Sequence, residues 1–209
     1  MQPALRDHGH VIADGLIDPR MAQVFYRMLL LRQWRGEFRR DDQVPAAASH
    51  WGDSTLDALL LGLQPDIERV SGCLLLPTYA YARLYLHGQS LPRHRDRDAC
   101  EIAVTLHLGA CGAAPPICFA PPSGHASEHT SEQAVAVHQR PGDAVVYRGD
   151  RIDHWRDAFR GEHFGQLFLN YVHADGERRD RLYDGRHRAF PPDTLHSMSV
   201  DRQTTEVTL

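Results

Sequence analysis

The sequence contains no lysine, and all 23 of its basic residues are therefore arginine. A cationic group that binds an anionic ligand must accordingly be arginine, or histidine in its protonated form. The 27 acidic residues outnumber the basic ones, which gives a formal net charge of −4. Because nucleic-acid-binding proteins usually carry a basic excess, the composition predicts a protein with no nucleic acid among its partners.

Long apolar runs are also absent. No run approaches the length of a membrane span, and residues 1–8 lack the apolar core of a signal peptide. Cysteine is scarce and forms no CxxC pair; the four cysteines are Cys73, Cys100, Cys111 and Cys118. A zinc site built on the last three would match no compact zinc motif. We therefore expect a cytoplasmic protein with reduced thiols and no membrane partner.

The order of helix and strand signals predicts the fold. Asp18 before Pro19 is typical of a helix start, and a stretch beginning at Ser54 resembles a capping box that opens a second helix. The apolar residues of the first helix recur at helical spacing: Met21, Val24, Phe25, Met28 and Leu29. At least six short strands follow over about residues 73–173. We predict a single α+β domain over residues 1–209, in which the strands close into a double-stranded β-helix, a jelly-roll or cupin-like barrel, with the N-terminal helices packed on the sheet.

Three stretches outside the predicted strands have no regular pattern. Residues 34–52 are polar and irregular. Residues 110–132 are rich in proline, glycine, alanine and serine, which favours a hairpin-like excursion or a mobile lid. Residues 174–209 are rich in arginine and aspartate, and we expect them to form a partly ordered C-terminal tail.

Two predicted strands alternate with a period of two residues. In the first, one face carries Tyr79, Tyr81, Arg83 and Tyr85. In the second, the polar face carries Glu101, Ala103, Thr105 and His107. In an ordinary sandwich such a face would meet solvent, whereas in a barrel that holds a metal it would line the pocket. The row of tyrosines around Arg83 favours the pocket, because bulky rings seldom face water in a row.

His94-Arg95-Asp96 and the distant His154 form the strongest candidate site. Residues i and i+2 of an extended chain point to the same side, so His94 and Asp96 can converge on one metal ion. His154 lies 60 residues downstream of His94, after a Pro141-Gly142-Asp143 turn and an apolar strand. Two histidines and one carboxylate form the facial triad of non-haem Fe(II) oxygenases, which leaves the opposite coordination positions open.

A second HxD pattern serves as an internal control. His173-Ala174-Asp175 has the same spacing, and chance matches are expected among 14 histidines. Only His187 and His196 follow it, and no strand pattern carries them. The context therefore favours His94 over His173 as a metal ligand.

These features resemble the non-haem Fe(II) and 2-oxoglutarate-dependent oxygenases, in their prolyl 4-hydroxylase-like branch. The resemblance covers roughly residues 10–173; its motifs are residues 81–85, residues 91–96, Pro141-Gly142-Asp143 and His154. It implies that His94, Asp96 and His154 are the catalytic Fe(II) ligands. It also implies that 2-oxoglutarate binds beside the iron as cosubstrate, that O2 is consumed, and that ascorbate can serve as reductant. The implied reaction is hydroxylation of an unactivated C–H bond, with succinate and CO2 as coproducts.

The sequence departs from the family at the 2-oxoglutarate anchor. The family usually places arginine or lysine about ten residues after the distal histidine, where this chain has Phe164. The candidates are Arg156, which we favour because a guanidinium pairs bidentately with a carboxylate, then His163 and Arg160. Further candidate hydrogen-bond partners of the same carboxylate are Tyr85, Thr105 and His107.

The identity of the substrate is left open by the sequence. The resemblance implies an amino acid, a small metabolite or a peptide segment, and desaturation or ring closure remain alternatives to hydroxylation. A cupin-like protein that binds a metal or small ligand without turnover would retain the histidines but need no arginine anchor. A zinc hydrolase is a third possibility, because the same ligand set serves catalytic zinc.

Overall fold

The computed structural model describes residues 1–40, 43–44, 47–121 and 134–190. The helices of this part are α1 (Pro3–His8), α2 (Pro19–Trp34), α3 (Ser54–Gly62) and α4 (Gln64–Ser71). The strands are β1 (His10–Ala13), β2 (Arg39–Arg40), β3 (Ala48–Trp51), β4 (Leu75–Leu86), β5 (Leu91–His94), β6 (Ile102–Cys111), β7 (Ile117–Phe119), β8 (Val135–Val137), β9 (Ala144–Tyr147), β10 (His154–Arg156) and β11 (His163–His173). None of the helices in the described ranges has the length and apolar character needed to cross a bilayer.

The strands form two antiparallel sheets. The large sheet has the order β1-β9-β6-β11-β4-β3-β2, and the small sheet has the order β5-β10-β7-β8. The long strand β11 lies at the centre of the large sheet, where it pairs with β4 on one side and β6 on the other. The chain therefore combines helices with two antiparallel sheets, as the α+β prediction requires.

The large sheet buries both of its faces. One face packs its alternate apolar residues, such as Leu84, Leu106 and Leu167, against the helices in the main hydrophobic core. The other face carries the predicted polar row, and its Thr105 is fully buried. Thr105 accepts a hydrogen bond from Arg156 of the small sheet, so this polar face looks into the space between the two sheets rather than into solvent.

Two helix starts show how local sequence sets the elements. Helix α2 begins as predicted, with Pro19 in the first turn and Asp18 as N-cap. Helix α3 begins at Ser54 but is capped by Asp53, whose carboxylate accepts two backbone N–H groups of the first turn. The predicted capping box is therefore corrected by one residue: a carboxylate already extends from the preceding position and satisfies those donors.

The buried face of α2 also differs from the prediction. Met21 and Val24 are 49% and 60% exposed, while Tyr26 is buried. The reason lies in the sheet, where Gly109 and Gly165 are register partners. An added Cβ at either glycine would lie less than 3 Å from the Tyr26 ring. The two glycines thus form a slot for this ring, and the slot sets the rotation of the helix.

Parts of the irregular stretches are ordered. Within residues 34–52, β2 and β3 extend the edge of the large sheet, which corrects the irregular prediction there. Residues 174–190 carry two 3-10 segments, held to the body by ion pairs of Arg178 with Asp150 and Arg181 with Asp98. The remainder of the predicted tail, residues 191–209, and residues 122–132 of the predicted lid lie outside the described residues.

Candidate metal centre

The structure brings His94, Asp96 and His154 together. His94 ends β5 and His154 begins β10, and the two residues are direct partners in the small sheet. One potential ligand atom from each of the three residues lies within 4.8 Å of the others. Asp96 extends one carboxylate oxygen to 3.3 Å from His94 Nε2 and the other to 3.6 Å from His154 Nε2. The three side chains therefore face one common point.

Both histidines are oriented by their other ring nitrogen. His94 Nδ1 lies 2.8 Å from the carbonyl of Pro92, and His154 Nδ1 lies 3.0 Å from the carbonyl of Ile152. A carbonyl only accepts, so each Nδ1 carries the proton and donates it. Each Nε2 consequently holds a free lone pair directed at the common point. This is the tautomer that a metal ligand requires.

The Asp96 carboxylate is held from several sides. The backbone N–H of Asp96 donates a hydrogen bond to the carbonyl of Gly149 at 2.9 Å. Burial opposes ionisation of Asp96, but the neighbouring imidazoles of His94 and His154 and a hydrogen bond from the Tyr147 hydroxyl hold its pKa below the ordinary value. Asp96 is therefore a carboxylate at neutral pH, which is the form that binds a cation.

Tyr147 and Gly149 belong to the site but were missed by sequence reasoning. Tyr147 is fully enclosed, bonds the Asp96 carboxylate and packs its ring edge-on against His154 at 4.7 Å between centroids. An added Cβ at Gly149 would lie 2.5 Å from Oδ2 of Asp96, the oxygen that faces His154. Tyr147 ends the apolar strand after the Pro-Gly-Asp turn, so its place in that strand was the only signal available.

A buried arginine lies two residues beyond His154 on the same strand. Arg156 is only 2% exposed, and burial lowers its pKa to about 10, which leaves it charged at neutral pH. Its guanidinium donates to four neutral oxygens, those of Pro115 (backbone), Thr105, Gln139 and Gln166. No carboxylate in the described part of the chain pairs with it. Because a buried cation without an anion is costly, this position could hold an anionic ligand.

Other buried polar atoms around Arg156 also lack partners. Among the described residues, Arg156 Nε, His107 Nε2 and Gln166 Nε2 are buried without a hydrogen bond. His107 donates its Nδ1 proton to the carbonyl of Gln139, so its Nε2 is an acceptor. Burial lowers the pKa of His107 and keeps the ring neutral. Orphaned polar groups are rare in native cores, so these atoms could bond a molecule held between the sheets.

Arg83 is a second buried arginine between the sheets. It donates to the Tyr85 hydroxyl at 3.0 Å and to Gln43 at 2.8 Å, and its guanidinium lies over the ring of Phe168. Tyr85 is thus engaged by Arg83, while Thr105 is engaged by Arg156 and Gln166. The predicted cosubstrate-binding residues Tyr85, Thr105 and His107 all lie in the space between the sheets.

The structure does not bring the other predicted anchors to this space. His163 points to the helix side of the large sheet, where its ring contacts Tyr26 of α2. Arg160 is exposed on the preceding loop. This corrects the expectation for both residues: β11 alternates, and its inward positions begin with Phe164. His173 of the control HxD pattern lies at the far end of β11 and takes no part in the triad.

Comparisons with known proteins place the fold. No protein-family model matches the chain, and no curated protein matches it. A Pseudomonas putida prolyl-4-hydroxylase matches with a TM-score of 0.63 and 16% identity, covering 81% of this chain and 95% of that one. HygX from Streptomyces hygroscopicus, solved with nickel and 2-oxoglutarate, matches with a TM-score of 0.63 and 12% identity. The match covers 82% of this chain and 85% of that one.

The α-ketoglutarate-dependent epimerase SnoN from nogalamycin biosynthesis matches with a TM-score of 0.63 and 17% sequence identity. The match covers 81% of this chain and 78% of that one. At these identities the similarity is one of fold. The chain therefore has the fold of the 2-oxoglutarate-dependent oxygenases, of the prolyl 4-hydroxylase-like kind.

Proposed function

We propose that the protein is an Fe(II)- and 2-oxoglutarate-dependent oxygenase that hydroxylates an unactivated C–H bond, releasing succinate and CO2. The observation that carries the proposal is the pairing of two sites. His94, Asp96 and His154 present three ligand atoms to one point. A buried arginine follows on the strand of His154, and among the described residues no carboxylate pairs with it.

The donor set suits Fe(II). Two imidazoles and one carboxylate on one side of the ion leave the opposite positions for a chelating cosubstrate and O2. The Nδ1 hydrogen bonds and the Tyr147 contact fix the ligand side chains before metal binds, which reduces the entropy lost on binding. Intact Asp96 also fits hydroxylation rather than halogenation, which needs a small residue at that place to make room for halide.

The surroundings of Arg156 suit the far carboxylate of 2-oxoglutarate. Alternate residues of a strand lie roughly 6.6 Å apart, a span that a five-carbon dicarboxylate can bridge from the metal to the arginine. Its carboxylate oxygens would accept from Arg156 Nε and Gln166 Nε2, both of which lack an acceptor among the described residues. Bound Fe(II) and 2-oxoglutarate would supply the oxidising chemistry, while the protein orients them and excludes water.

The proposal also covers the class of substrate and the outcome of the reaction. We propose an amino acid, a small metabolite or a peptide segment as substrate. HygX has been solved with hygromycin B, a small molecule, and SnoN is an epimerase, so the fold serves several substrates and outcomes. Product mass distinguishes them: hydroxylation adds one oxygen, desaturation or ring closure removes two hydrogens, and epimerisation leaves the mass unchanged.

The proposal extends to the architecture and the compartment. We propose that the two facing sheets are the halves of a double-stranded β-helix, and that residues 1–209 form a single domain around it. The four cysteines are free thiols, which supports a cytoplasmic location.

Binding of 2-oxoglutarate tests the proposal without knowledge of the substrate. Anaerobic titration of the Fe(II)-loaded protein, followed by metal-to-ligand charge-transfer absorption, should show saturable binding. Arg156→Leu should raise the 2-oxoglutarate concentration required by about 10- to 100-fold, because it removes charge-assisted hydrogen bonds of ~1.5–3 kcal/mol. Iron affinity should change little.

Arg160→Leu is the matched control, because it removes an exposed arginine four residues away. Circular dichroism should confirm that both variants are folded. Equal 2-oxoglutarate requirements in wild type and Arg156→Leu would remove Arg156 from the site. Metal binding without any 2-oxoglutarate binding would favour a cupin-like binding protein instead.

A further inference from the structure

A second group of metal-binding side chains lies at the end of the large sheet where β6 ends and β11 begins. It consists of Cys111, Glu162 and His163, named here the edge cluster. One potential ligand atom from each lies within 4.8 Å of the others. Cys111 ends β6 and His163 begins β11, and the two residues are register partners. The Glu162 N–H donates to the Cys111 carbonyl at 2.9 Å, which continues the pairing past the strand end.

A bulge in β6 makes this meeting possible. His107 pairs with Gln166, but the next pair joins Gly109 to Gly165, so β6 contains one extra residue at this point. The extra residue reverses the alternation of β6 beyond His107. Cys111 is thereby turned to the same face as His163, on the helix side. Simple alternation from His107 would have pointed the Cys111 thiol between the sheets.

Helix α2 orients the histidine of the edge cluster. The Tyr26 ring fills the slot between Gly109 and Gly165 and brings its hydroxyl to His163. That hydroxyl lies 3.3 Å from the His163 carbonyl, to which it donates, and it is also hydrogen-bonded to Nδ1. The Tyr26 contact engages Nδ1 and holds the orientation of the His163 ring. Nε2 is the ring nitrogen outside this contact.

Backbone packing fixes the spacing of the cluster. An added Cβ at Gly161 would lie 2.2 Å from the Cys111 carbonyl oxygen, and one at Gly112 would lie 2.7 Å from Gly161 Cα. Gly112 also has φ of +118°, which favours glycine. The two chain segments therefore approach more closely than residues with side chains would allow. This close approach fixes the backbone positions from which the three ligand side chains extend.

We propose that the edge cluster is a Zn²⁺ site, with water completing a tetrahedron around the thiolate, imidazole and carboxylate. This mixed donor set is the one that zinc accepts and that Fe(II) oxygenase triads lack. Binding would replace the thiol proton of Cys111 by the metal and release that proton to solvent. The ion would join the ends of β6 and β11 and, through Tyr26, the helix packed on them. The site is independent of the triad.

Cobalt(II) absorption tests the edge cluster directly. Thiolate-to-cobalt charge transfer gives a near-ultraviolet band, and the triad contains no sulfur. Wild type should bind two equivalents of Co²⁺ and show the band, and Zn²⁺ should abolish it by displacement. Asp96→Ala should bind one equivalent and keep the band. Cys111→Ser should lose the band and one equivalent while retaining the circular dichroism of wild type.

Cys73→Ser is the matched control, because Cys73 is a partly exposed cysteine outside the cluster and should keep the full band. His163→Ala should weaken Co²⁺ binding at this site at least tenfold. A wild-type protein without a thiolate band, or a band that survives Cys111→Ser, would overturn the proposal. Either result would leave the proposed oxygenase function unaffected, since Asp96→Ala addresses the other site.

Discussion

Gly149→Ala is expected to damage metal binding without contacting the metal. Gly149 accepts the backbone N–H of Asp96, and its φ lies outside the positive region that restricts other residues. Alanine can therefore adopt the backbone conformation, and only the added methyl matters. That methyl would lie 2.5 Å from Asp96 Oδ2 and 2.8 Å from the Cys100 carbonyl oxygen. Ordinary contacts of this kind begin near 3.4 Å.

The structure gives the size of the effect. Relief of the collision requires the carboxylate or the loop to shift by about 0.5 to 1 Å, whereas metal–ligand distances tolerate about 0.2 Å. Loss of a residue that orients a ligand typically costs about 10- to 100-fold in metal affinity. We predict a fall of this size in Fe(II) or Co²⁺ affinity at the triad, measured by competition with a chelator.

Gly62→Ala provides the control for this prediction. Gly62 lies in α3 with ordinary φ and no atom within 4 Å of an added Cβ, so the same change of residue should leave metal affinity intact. Unchanged affinity in Gly149→Ala would refute the reasoning, because it would mean that the carboxylate does not sit against this backbone.

Three further predictions concern the frame of the site. Tyr147→Phe removes a hydrogen bond from the triad carboxylate and should weaken metal binding about tenfold, measured by the same competition. Gly109→Ala would place a methyl group 2.7 Å from the Tyr26 ring. It should therefore lower the free energy of unfolding, measured by urea denaturation, by about 1–3 kcal/mol. An unchanged urea midpoint would show that Gly109 does not pack against this ring. Burial opposes ionisation of Asp53, but hydrogen bonds led by that of Arg32 lower its pKa to about 2. Asp53→Asn keeps an N-capping side chain but loses the ion pair with Arg32, and should cost about 1 kcal/mol at neutral pH. Because a depressed pKa stabilises above the unfolded value of about 3.9, that difference should shrink as the pH falls from about 4 through the folded pKa of about 2. A difference that is undiminished at pH 2 would count against the ion pair.

Local sequence predicted the elements that depend on neighbouring residues. Asp18 and Pro19 start α2 where expected, because an N-cap and a helix-compatible proline act within one turn. The spacing of His94 and Asp96 places both on one side of an extended segment, and the triad assembles as the pattern indicated. Only His154 required a long-range contact, and the strand signal before it was sufficient.

Features that depend on packing between distant segments could not be predicted. The bulge in β6 reverses the direction of Cys111, and one extra residue leaves no signature in the alternation of apolar residues. The rotation of α2 is set by two glycines on strands more than 80 residues away. Tyr147 contacts Asp96 only because β9 pairs with β6. In each case the atoms that fix the position of the side chain belong to a segment distant in the sequence.

Succinate formation is the most direct test of the proposed oxygenase. Protein purified without oxygen would receive Fe(II), ascorbate, 2-oxoglutarate and O2, and succinate would be quantified for wild type, Asp96→Ala and Asp175→Ala. The last variant removes the carboxylate of the control HxD pattern, which lies outside the triad. We predict succinate from wild type and Asp175→Ala but not from Asp96→Ala. Equal succinate from Asp96→Ala would contradict the account, as would no succinate from any of the three together with no binding of 2-oxoglutarate to the iron-loaded wild type.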